Sequence, residues 1–104
     1  MEQQDNQLNI QLSEEVAEGT YSNLAIISHS TSEFVVDFIR IMPGTPKANV
    51  KSRIILTPEH AKRLLFALQE NVAKYEAQHG KIKIPDNPVI PYDIFLVLKF
   101  ISDG

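Results

Sequence analysis

At 104 residues, 43% of them hydrophobic, the chain is long enough to close one modest core and too apolar to be disordered as a whole. It contains no cysteine, which excludes disulfide frameworks, thiolate metal sites and cysteine nucleophiles. A formal net charge of −3 argues against non-specific nucleic-acid binding, whose affinity comes from neutralising phosphates.

The first seven residues are polar and read as a frayed tail, without the basic-then-apolar order of a signal peptide. Nothing in the chain approaches the roughly 18 apolar residues needed to span a bilayer, so a cytoplasmic protein without a membrane partner is expected. Residues 8–12 alternate apolar and polar, the period of a half-buried strand. Ser13 to Gly19 reads as a polar turn or a single helical turn, capped by Ser13 and stopped by Gly19. Residues 20–28 form a second expected strand, followed by the turn His29-Ser30-Thr31-Ser32. The strongest strand pattern covers 33–42, where Phe34, Val36 and Phe38 share one face and Val35, Ile39 and Ile41 share the other with Asp37. Two apolar faces imply a central strand covered on both sides.

Pro43-Gly44-Thr45-Pro46 must break this strand, and residues 49–56 resume one. Thr57 is a suitable helix N-cap, Pro58 suits the first helical position, and Glu59 complements the helix dipole. Ala61, Leu64, Leu65, Leu68, Val72 and Tyr75 then make one apolar stripe, and Gly80 is the natural stop. Beyond it, prolines at 85, 88 and 91 suit an extended linker before the apolar run 92–101, whose period does not separate strand from helix. The expected architecture is α+β. An antiparallel sheet of about four strands (8–12, 20–28, 33–42, 49–56) carries one long helix (58–79) on one face. Residues 8–80 form a single domain and 81–104 a proline-spaced linker with an apolar C-terminal segment.

Several blocks of the chain, taken in order, resemble one family. They are Tyr21-Ser22-Asn23, Ser28-His29-Ser30, Ser32-Glu33-Phe34 with Asp37-Phe38, the run from Lys51 to Leu65, and Asn71 with Tyr75-Glu76. Together they resemble the domain-of-unknown-function family 3467 (DUF3467) over roughly residues 8–80. The resemblance implies a small bacterial or archaeal protein with no assigned activity. On strand order alone, strands followed by a long helix are also similar to the export chaperone SecB, an analogy of fold and not of site.

Candidate chemistry is sparse. His29 lies among Ser28, Ser30, Thr31 and Ser32 with Glu33 and Asp37 nearby, but no strained nucleophile turn or oxyanion hole accompanies it, so a serine-rich hairpin turn is the better reading. His60 and His79 sit near opposite ends of the helix, and no converging ligand set suggests a metal. No catalytic residue, metal or cofactor is expected. Asp37 in the middle of an apolar strand calls for a partner, and Arg53 on the neighbouring strand is the best placed. Lys47, Lys51 and Arg53 make a basic row along one strand, which with Asp37 and Phe66 gives the candidate binding surface.

The excess of apolar surface points to a non-catalytic domain that self-associates, as a dimer or higher oligomer, and binds protein partners. The alternative is a DNA-associated regulator reading a groove with the basic strand 47–53, as ribbon-helix-helix proteins do.

Overall fold

A computed structural model describes residues 7–85. The elements in chain order are α1 (Glu14–Ala17), β1 (Leu24–His29), β2 (Phe34–Arg40), β3 (Asn49–Leu56) and α2 (Pro58–His79). The strands form an antiparallel meander in the order β1-β2-β3, with β2 in the centre as its two apolar faces require.

The register explains the packing. Ile26 pairs with Asp37 and Asp37 with Arg53, so Leu24, Ile26, Val35, Asp37, Ile39, Arg53 and Ile55 share one face. Ala25, Ile27, Phe34, Val36, Phe38, Ser52, Ile54 and Leu56 share the other. Between Phe38 and Ile39 the ladder slips: Phe38 pairs with Ser52 but Ile39 with Val50, leaving Lys51 as the extra residue of a bulge. Strict alternation along 49–56 would set Val50 with Ile54 and Leu56. The bulge moves it to the face of Ile39.

β1 begins at Leu24, four residues later than alternation suggested, because side chains replace the ladder there. The Asn23 amide donates to the Ile41 carbonyl at 2.9 Å and accepts from the Ile41 N–H at 2.8 Å. The Ser22 hydroxyl donates to the carbonyls of Leu24 (2.9 Å) and Ile39 (3.0 Å). The hairpin between β1 and β2 is closed by the Ser30 N–H donating to the Glu33 carbonyl and by the Ser30 hydroxyl accepting from the Ser32 and Glu33 N–H groups. His29 stacks on Phe34, its cross-strand neighbour, with ring centroids 5.2 Å apart. His29 is thus a sheet side chain at the foot of a turn.

Two expectations are corrected. Residues 8–12 form no strand, and Leu8, Ile10 and Leu12 all lie exposed, so the described sheet has three strands and not four. Alternation provides an apolar edge but not a neighbour to pair with. The long helix has the expected bounds and caps: the Thr57 hydroxyl accepts from the His60 N–H at 3.2 Å, Pro58 opens the first turn, and Gly80 ends it at φ 90°. It does not, however, lie on the sheet. Thr57 alone separates β3 from α2. The helix makes only marginal contact with the strands, and none of its residues is fully buried. The apolar segment 92–101 lies outside the described residues, as does the greater part of the linker.

The core is consequently small. Among the described residues the hydrophobic side chains that are fully buried are Ile26 and Ile39, each 6% exposed.

Candidate functional site

The five residues singled out from the sequence do not converge. Asp37 and Arg53 meet: β2 and β3 place them directly opposite one another, and the guanidinium grips the carboxylate with two bonds, Nε to Oδ1 at 2.6 Å and Nη2 to Oδ2 at 2.9 Å. This planar fork is the strongest arrangement available to such a pair. Asp37 is 8% exposed while the arginine side chain remains largely in water. The bonds from Arg53 hold the Asp37 carboxyl below its ordinary range, against the opposing effect of its burial, with the arginine's charge adding to the depression. The same partnership raises the already high pKa of Arg53.

Lys47 precedes β3 and Lys51 occupies the bulge, both exposed. The basic row is therefore interrupted: one lysine is off the strand, one is out of register, and the arginine is committed to Asp37. Phe66 is exposed on α2, about a third of a turn from the apolar stripe.

The surface that sequence reasoning assigned to the interior is the one left open. Leu64, Leu65, Leu68, Val72 and Tyr75 all stand on α2 in contact with solvent, with Leu68 at 59% and Tyr75 at 52% exposure. A shallow apolar hollow runs along the helix between Leu65, Leu68, Gln69, Val72, Ala73 and Glu76. A second lies between Asn71, Val72, Tyr75 and Ile82. Ile82 is brought there by its N–H, which donates to the Glu76 carboxylate at 3.0 Å, and His79 packs on Tyr75 at 4.8 Å between ring centroids. Helix periodicity revealed this stripe; it could not say whether the chain's own sheet would cover it.

Among the described residues no group of three or more His, Cys, Asp or Glu side chains is arranged to hold a metal ion, and no helix is long and apolar enough to cross a membrane.

These features define a small α+β protein, whose described residues form a three-stranded antiparallel meander followed directly by an amphipathic helix that makes little contact with it. The chain belongs to the family described as protein of unknown function (DUF3467), whose model matches residues 1–84 and so extends to both sides of the 8–80 region of resemblance. Neither a curated protein nor a solved structure matches it.

Proposed function

We propose that the protein is a non-catalytic, self-associating module that presents a binding surface to protein partners. The observation that carries this reading is the mismatch between apolar surface and core. An apolar helix stripe, together with Ile27 and Ile54 on one sheet face and Val50 and Ile55 on the other, remains exposed around a core of two fully buried hydrophobic side chains among the described residues. Apolar surface on that scale is characteristic of interfaces, and a second molecule supplies the missing half of a core. The DNA-associated reading of 47–53 draws less support, because Arg53 is neutralised by Asp37 and the bulge removes Lys51 from its row. Sedimentation equilibrium of the full chain at micromolar concentration tests the proposal: a dimer or larger species is expected, and a strict monomer contradicts it.

A further inference from the structure

The stripe on α2 has a finer order. Ala61, Leu65, Leu68, Val72, Tyr75 and His79 follow one another in alternating steps of four and three residues, the seam spacing of two helices packed knobs-into-holes. Leu65, Leu68, Gln69 and Val72, four of the residues around the first hollow, stand at i, i+3, i+4 and i+7, which is the outline of one such hole.

The residues flanking the seam choose an orientation. On one side they are Lys62, Gln69 and Glu76, and on the other Leu64, Asn71 and Gln78. If two copies of α2 run antiparallel, like flanks face each other. Lys62 of each copy then meets Glu76 of the other, Gln69 meets Gln69, and Asn71 meets Asn71. The seam closes in consistent layers at the same register: Ala61 against His79, Leu65 against Tyr75, and Leu68 against Val72. A parallel pair would instead oppose Leu64 to Gln69 and Asn71 to Glu76, with no opposite charges in reach.

We infer that α2 pairs antiparallel with α2 of a second copy of this chain, in the register that sets Lys62 against Glu76 twice. This rests on the self-association reading and specifies its interface. The area is adequate. The exposed parts of Leu64, Leu65, Leu68, Val72 and Tyr75 amount to about 450 Å² per copy. Full burial of that area in both copies gives about 900 Å² before the polar flanks are counted, close to the roughly 1,000 Å² that a specific interface must clear. A helix of 22 residues, about 33 Å long, accommodates all six layers.

Charge reversal on the full chain, read by sedimentation equilibrium, tests the orientation. Lys62→Glu alone and Glu76→Lys alone each place like charges at both ends of the pair, and each is expected to weaken self-association roughly tenfold. An equimolar mixture of the two variants restores both ion pairs and should associate as the native chain does. So should the double variant Lys62→Glu/Glu76→Lys, which keeps the test open if either single variant folds poorly. Association indifferent to both reversals overturns the helix pair while leaving self-association standing. Weakening without recovery, in the mixture and in the double variant, overturns the antiparallel register. A strict monomer leaves the stripe to a different protein or to the chain's own residues 92–101, and overturns both this inference and the reading beneath it.

Discussion

Asn23 shows how a single side chain extends a sheet beyond its backbone ladder, its amide exchanging two hydrogen bonds with Ile41 as a paired strand residue would. Beside it, Tyr21 packs under the Arg40 guanidinium at 6.0 Å, so the block Tyr21-Ser22-Asn23 acts as a clamp on the far end of β2. The Asp37–Arg53 fork is the other residue-level device, and its energetics have a definite sign. Asp37 titrates lower in the folded chain than the ordinary 3.8, so the pair's contribution is fully present above that value and is lost as pH falls through the lower, folded one. Arg53→Ala leaves a nearly buried carboxylate without its partner, and its pKa should move upward. Urea unfolding midpoints measured from pH 7 to pH 2 should therefore show Arg53→Ala below the native protein at neutral pH and converging on it in acid. A gap that stays constant across that range would mean the fork is not coupled to folding. The pair was legible in the sequence because an acid on an apolar strand needs a cation within one strand's reach. The interrupted lysine row was not, since alternation carries no mark of the bulge that displaces Lys51.

At the level of elements, the junction Leu56-Thr57-Pro58 was readable to the residue. Hydroxyl cap, N1 proline and glycine stop are local chemistry and need no tertiary context. The strand at 8–12 and the seat of the helix failed for the opposite reason. Both depend on whether another surface is available, which periodicity does not encode. What the structure shows at the second point is a helix that leaves β3 through the single residue Thr57 and makes little contact with the strands. A helix so little supported by its own sheet relies on capping and on side-chain pairs such as Glu59–Arg63, where the Arg63 Nη2 and Glu59 Oε2 are 2.9 Å apart. Thr57→Ala removes the acceptor for the His60 N–H and should cost about 1 kcal/mol of helix stability. At low protein concentration, where packing between molecules cannot compensate, far-UV circular dichroism should show the loss as reduced helicity. Unchanged helicity there would indicate that α2 is held by contacts other than its own caps.

For the molecule as a whole, a meander with two apolar faces and a helix whose stripe lies exposed among the described residues leave a small core, and the proposed association would couple folding to assembly. Ile26 and Ile39 lie on the same face as the Asp37–Arg53 fork, whereas Ile27 and Ile54 on the opposite face remain in contact with water. If assembly completes the core, stability must depend on concentration by mass action. For a folded dimer unfolding to separate chains, each tenfold rise in protein concentration adds about 1.4 kcal/mol to the apparent stability. Thermal unfolding of the full chain, followed over a hundredfold range of concentration, should show a midpoint that climbs steadily, and the helical and sheet signals should rise together as the assembly forms. A protomer sufficient in itself would melt at one temperature throughout. In that case the two buried isoleucines and the clamp at Asn23 would hold the fold alone, and the apolar stripe on α2 would be free for a partner other than a second copy.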